Sequence, residues 1–301
     1  MKAVWPLLGY VALVFFCGAI LAYPIYQLLD PWWDGAAPFH KVVHRTLKLS
    51  ALVALLPLMY WLGLVSRQHW GYGTNAGSFA TGLGIGFLVG IASLGLPVVL
   101  LCLLEVRVLT LLSEMTLPIL AAILAKAVVV GLVVGFVEET WFRGALFSVV
   151  SVLSRTAYPL SAIWITAVMF GLVHFIRTDY TVEPLEATWV DGFVVLAHSF
   201  HLFASSAFVD SFLALVAAGF LLGLVRQRWG HIAHCVGIHA GWVVVIKSTQ
   251  KMTEVNHDSA FAFLVGNYDG VIGYLMFLVF GLLGVGYYAR IRSRKTCRAD
   301  G

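Results

Sequence analysis

Charge is what this sequence has least of. Asp, Glu, Lys and Arg make up 11% of its 301 residues, against 60% that are hydrophobic. Soluble globular domains carry about a quarter charged residues, so a water-soluble fold is excluded. Cysteine is scarce as well, with four residues in all, and they show neither metal-ligand nor redox spacing. Cys17, Cys102 and Cys235 lie in apolar runs, where cysteine serves as a small packing residue. Cys297 is too far from the last residue to be a prenylation site. The formal net charge of +4 comes largely from the tail, where Arg290, Arg292, Arg294, Lys295 and Arg298 gather. That cluster reads as a cytoplasmic anchor and not as a surface for nucleic acid. There is no repeat of fixed period, no low-complexity tract and no soluble domain.

Long apolar runs take the place of all this. One membrane crossing needs about 20 apolar residues, and the runs predict an all-α, polytopic membrane protein with about eight transmembrane helices. The expected crossings are 4–29, interrupted by Pro24, then 47–65, 79–104, 116–152, 158–176, 211–225, 231–246 and 271–289. Lys2 followed by an apolar run resembles a signal peptide, but the run is long and aromatic-rich, so an uncleaved helix is expected. The loop 30–45 carries Trp32 and Trp33, suited to a membrane interface. A short connection covers 105–114, Pro159 sits in the first turn of the fifth crossing, and 193–208 reads as an interfacial or re-entrant segment. Eight crossings put both termini on one side, and the basic tail assigns that side to the cytoplasm, in a plasma (inner) membrane. The turn at Arg155 and the charges Arg226 and Arg228 that end the sixth span agree with this, as does an outer acidic loop after Arg177. Lys41, Arg45 and Lys48 oppose it. Three regions result: 1–115 with helices one to three, 116–247 with helices four to seven, and 248–301 with the last helix and the tail.

The fourth run contains the stretch around which the rest is arranged, Glu138-Glu139-Thr140-Trp141-Phe142-Arg143-Gly144. Charges within a membrane helix are costly and mark function by default. Neighbouring helical residues point about 100° apart, so Glu138 and Glu139 cannot share a face. Glu139 and Arg143 are four apart and can pair, leaving Glu138 for another partner. The plainer alternative is a buried ion-pair cluster or a helix end in the headgroups. The run is longer than one crossing needs, and a bend is expected at the polar cluster. Counting about 1.5 Å per residue from the cytoplasmic ends, Glu138 lies about 18 Å deep, His174 about 25 Å and His239 about 12 Å. All three fall within the roughly 30 Å hydrocarbon core. His231 and His234 read as helix-end or packing residues, as do His198 and His201. Lys126 reads as a snorkelling or paired charge, and Trp141 and Phe142 as lipid-facing or packing.

Three motifs in order, "EETWFRGALF" with Glu138-Glu139-x-x-x-Arg143, "MFGLVHF" with Phe170-x-x-x-His174, and "GIHAGW" with His239, resemble the CPBP family (CAAX proteases and bacteriocin-processing enzymes, also called Abi). The resemblance implies an eight-helix intramembrane endopeptidase whose helices stand around an intramembrane cavity open to one leaflet, with a CPBP-like catalytic core in 116–247. In that core Glu138 activates water, Glu139 and Arg143 support it, and His174 and His239 complete the site. The family's last motif often reads His-x-x-x-Asn, and here the fourth position after His239 is Val243. The implied partner is a peptide or protein substrate in or at the lipid bilayer. Prenylated C-termini, peptide leaders and membrane-sorting tails are all candidate substrates. Two chemistries stay open: a glutamate-activated water needing no cofactor, and a zinc site with Glu138, His174 and His239 as ligands. Two other functions stay open as well, a catalytically idle scaffold or immunity factor of the same fold, and an ion-coupled transporter.

Overall fold

The computed structural model describes residues 4–33, 38–110, 116–154, 160–183 and 186–299, with the backbone alone at 4, 30–33, 207 and 294–299. Pro159, the turn at Arg155, and the side chains of Trp32, Trp33 and the tail residues Arg294, Lys295, Cys297 and Arg298 therefore lie outside the description. The protein is an all-α polytopic membrane fold. Among the described residues six helices are long and apolar enough to cross a membrane: Trp5–Leu29, Phe39–Trp61, Ala76–Leu103, Leu117–Ser154, Val209–Trp229 and Tyr274–Ser293.

The other two expected crossings have a different character. The fifth is a helix of 14 residues, Leu160–Val173 (α7). The seventh is Ala233–Met252 (α10), long enough at 20 residues but carrying His234, His239, Lys247, Gln250 and Lys251. The segment 193–208 holds a short helix, Asp191–His198 (α8), and two single 3₁₀ turns. At about 1.5 Å per residue α8 is far too short to cross.

Helix Phe39–Trp61 (α3) begins eight residues earlier than the apolar run predicts, so Arg45 is helical and not in a loop. The reason is amphipathic spacing. Phe39, Val42, Val43, Thr46, Leu47 and Ser50 are buried at helical intervals, while Lys41, Arg45 and Lys48 stay exposed on the other side. The connection after Leu103 also holds more than a turn. A strand Arg107–Leu109 (β1) pairs antiparallel with Thr253–Val255 (β2), Val108 opposite Glu254. Three-residue strands are too short for alternation to betray them.

The chain forms two compact units. The first comprises Met1–Val65, Ser151–Arg155 and Leu172–Ser206. Its core joins Ala22, Tyr26, Phe39, Val42, Val43, Leu47, Ala187 and Val195, and the Thr46 hydroxyl donates to the Gly18 carbonyl at 2.8 Å. The second comprises Ser66–Val150, Thr156–Gly171 and Ala207–Gly301. Here α10 is wedged between Ala76–Leu103 (α4) and Leu117–Glu139 (α5). Glycines make the wedge possible. A Cβ on Gly86 or Gly90 of α4 would meet the carbonyls of His234 and Ile238, and one on Gly131 or Gly135 of α5 those of Ala240 and Val236. Small residues allow membrane helices to approach backbone to backbone, and this contact fixes the height and rotation of His239.

Candidate active site

The polar stretch lies where the long helix changes its winding. α5 ends at Glu139, a π-helical segment runs Thr140–Leu146, and Phe147–Ser154 (α6) continues as α-helix. π-turns inside α-helices are rare and concentrate at functional sites. The bend expected at the polar cluster is thus a local change of hydrogen-bond register.

Arg143 is wholly buried within this segment, and its Nη1 donates to Glu139 Oε1 at 3.0 Å, both side chains having no exposure. Its Nη2 donates to the Gly219 carbonyl at 3.2 Å, on helix Val209–Trp229 (α9). Its guanidinium lies 4.4 Å from the ring centre of Phe170 and 5.5 Å from that of Phe142. A buried charge needs pairing and hydrogen bonds. The carboxylate and the carbonyl supply them to the two Nη atoms and two aromatic rings lie against the guanidinium, while Nε has no hydrogen-bond partner among the described residues.

His239 stands between the two glutamates. Its Nδ1 is 2.7 Å from the same Glu139 Oε1, and its Nε2 is 3.9 Å from Glu138 Oε2. A carboxylate oxygen only accepts, so His239 Nδ1 carries the proton and Nε2 is left to face Glu138. The edge of Phe170 meets the imidazole, ring centres 5.9 Å apart. The two acids are therefore unequal. Glu139 is sealed and holds the imidazole, whereas the Glu138 side chain is 30% exposed, with Oε2 turned inward toward His239. The 3.9 Å separation is too long for a direct hydrogen bond and suits two groups that share a third.

The structure brings Glu138, Glu139, Arg143 and His239 together. His174 stands half-buried in the turn just after α7, in the other compact unit. Among the described residues no group of three or more His, Cys, Asp or Glu is arranged to hold a metal ion. No step is routed through a metal. Val243 is half-buried on α10. Its neighbour Trp242 donates Nε1–H to Ser93 Oγ at 2.9 Å, so that indole is committed to packing.

The remaining residues take the packing roles read from the sequence. His234 is buried and stacks on Trp229, ring centres 4.2 Å apart, beside His231 at 5.5 Å. His198 is exposed and stacks on Tyr180 at 4.0 Å, and His201 Nδ1 is 2.9 Å from the His198 carbonyl. Lys126 is exposed, and Phe142 packs on Phe170 at 5.1 Å. Sequence reasoning missed two groups. Tyr72 Oη is 2.6 Å from Thr140 Oγ1 at the start of the π segment. Arg226 is 7% exposed and reaches the Arg143 carbonyl; read as an end-of-span charge, it gave no signal distinct from Arg228.

Known families agree with the motifs. The family model described as Type II CAAX prenyl endopeptidase Rce1-like matches residues 119–245. That stretch is similar to the Rce1-like CAAX endopeptidases, in keeping with the family the three motifs resemble. The match supports proteolysis as the class of activity, a peptide or protein as the substrate class, and an integral membrane location. No curated protein and no solved structure matches the chain.

Proposed function

We propose that this chain is an intramembrane endopeptidase that hydrolyses a peptide bond of a membrane-associated or lipidated protein, with Glu138 activating the water. The placement of His239 between Glu139 and Glu138 carries the reading. A water about 2.8 Å from both Glu138 Oε2 and His239 Nε2 would subtend an angle of about 90° between them, close enough to tetrahedral for two hydrogen bonds. Glu138 takes one proton from that water. The imidazole, its other nitrogen held by Glu139, accepts a hydrogen bond from the remaining O–H and aims the oxygen lone pair at the scissile carbonyl carbon. The C–O bond forms as the carbonyl electrons move onto oxygen. On collapse the C–N bond breaks, and the amine leaves with the proton that Glu138 gained.

His174 joins the site in this proposal on the Phe170-x-x-x-His174 interval and the family match, as a donor to the developing oxyanion. With Val243 in place of Asn, that donor role has no second candidate on α10. The basic end of the last helix supports a cytoplasmic C-terminus and an inner-membrane location in this reading.

A cleavage assay in membranes tests the reading. Prenylated C-termini, leader peptides and membrane-sorting tails are each offered to wild type and to Glu138→Ala, with and without chelator. Processing by wild type only, unchanged by chelator, supports a glutamate mechanism. Processing lost in chelator and restored by zinc returns the site to metal chemistry. No processing of any class by a folded wild type points to the idle scaffold.

A further inference from the structure

Arg226 ends the apolar part of α9, but it does not behave as an end-of-span charge. It is 7% exposed, whereas Arg228 two residues on is exposed. Its Nε donates to the Arg143 carbonyl at 2.8 Å and its Nη2 to the Gln68 carbonyl at 3.3 Å. Its guanidinium lies 5.7 Å from the Phe147 ring centre. Burying an arginine against main-chain carbonyls is unfavourable unless those carbonyls need it.

The Arg143 carbonyl does need it. The Phe147 N–H, which α-helical continuation would direct to Arg143, goes instead to the carbonyls of Phe142 and Gly144. The change of winding passes over the Arg143 oxygen, and Arg226 supplies the donor. Its second acceptor belongs to the segment 66–75, which is itself fastened to the site helices. The His69 carbonyl accepts from Ser148 Oγ at 2.8 Å, and the Gly71 carbonyl from the Ile232 N–H at 2.9 Å. The Trp70 carbonyl rests against Gly144, where a Cβ would collide with it. One guanidinium thereby ties α9, the π segment and this segment together.

We propose that Arg226 is a positioning residue for the Glu138–His239–Glu139 site, acting by holding the Arg143 backbone in its π register. That register sets the rotation at which Arg143 meets Glu139, and Glu139 in turn holds His239. Arg226 touches neither water nor substrate. The proposal rests on the proteolytic reading.

The test compares wild type, Arg226→Met, Arg226→Lys and Glu138→Gln in reconstituted membranes, with rates taken per folded molecule. A misplacement of about 1 Å at a reacting centre lowers the rate by about 10²-fold. Arg226→Met is expected to lose about that factor in kcat at unchanged KM, and Arg226→Lys to show an intermediate loss, because an ammonium cannot serve two carbonyls with a planar fork. Should the Met variant not fold, the kcat of Arg226→Lys alone decides. Wild-type kcat in the folded variants, or a loss confined to KM or to the amount of folded protein, overturns the proposal. Wild-type activity in Glu138→Gln would instead overturn the proteolytic reading beneath it, so the two failures are told apart.

Discussion

At the scale of single residues, Glu139 Oε1 is the atom on which the site converges, since it accepts from both Arg143 and His239. By accepting from both, it holds the imidazole in one tautomer and pairs the buried guanidinium. Glu139→Gln is therefore expected to lower the single-turnover rate by about 10²-fold through misorientation of His239, a loss read by rapid-quench cleavage. Arg143→Ala leaves Glu139 buried without its partner, and breaking a buried pair lowers stability by about 3–5 kcal/mol. Adding Glu139→Leu to Arg143→Ala should recover much of that loss in a detergent unfolding titration. An equal or larger loss in the double variant would mean that the pair is not what stabilises this region. The Glu139–Arg143 contact was legible because both residues lie four apart on one helix. The His239–Glu139 contact joins residues 100 apart in the chain, and no spacing rule reaches across that interval. Only the common depth of the two residues hinted at it.

At the scale of elements, six of the expected crossings are long and apolar enough to span a membrane, among them Leu117–Ser154 with the Glu138-Glu139 pair. The two that fall short, α7 and α10, carry Phe170 and His239. α7 falls short by length, at 14 residues, and α10 by its His, Lys and Gln residues. Leu117–Ser154, by contrast, keeps the highest hydropathy of the six although it carries Glu138, Glu139 and Arg143. The π winding was legible only as a bend. Nothing in Thr140–Leu146 distinguishes i→i+5 from i→i+4 bonding until the neighbours of Gly144 and Arg143 are known. Gly144 supplies a prediction at this scale. Gly144→Ala would press a methyl into the Trp70 carbonyl, and such overpacking lowers stability by about 1–3 kcal/mol. Gly84 on α4 has nothing within 4 Å of a Cβ, so Gly84→Ala should keep or raise the melting temperature through helix propensity. Equal melting temperatures for the two variants would remove the packing role assigned to the segment 66–75.

At the scale of the whole molecule, the parts outside the membrane spans have their own pH dependence. Asp269 lies in the loop before the last helix, where its Oδ1 accepts the N–H groups of Val271 and Ile272 at 2.9 and 2.7 Å. Burial pushes its pKa above the ordinary carboxylate value of 3.8; those two hydrogen bonds, then Lys247 and Arg107, pull the other way. A folded pKa above the unfolded one means that the folded state binds the proton more tightly. The stabilisation is fully present below 3.8 and is lost as pH rises through the folded value. Asp269→Asn keeps an acceptor for both N–H groups, so thermal unfolding followed against pH should lose this slope and show equal or greater stability at neutral pH. A slope identical to that of wild type would assign the dependence to another group.

The central claim concerns the whole protein working in a bilayer, that Glu138 is the base that activates water. Single-turnover cleavage of a reconstituted membrane peptide by wild type and Glu138→Gln, matched for folded protein, tests it most directly. Gln keeps the size and hydrogen bonding of Glu but cannot take the proton from water. With Glu138 as the base, Glu138→Gln is expected to cleave at least about 10²–10⁴-fold more slowly, with thermal stability equal to or above that of wild type. Cleavage by Glu138→Gln at the wild-type rate would contradict it.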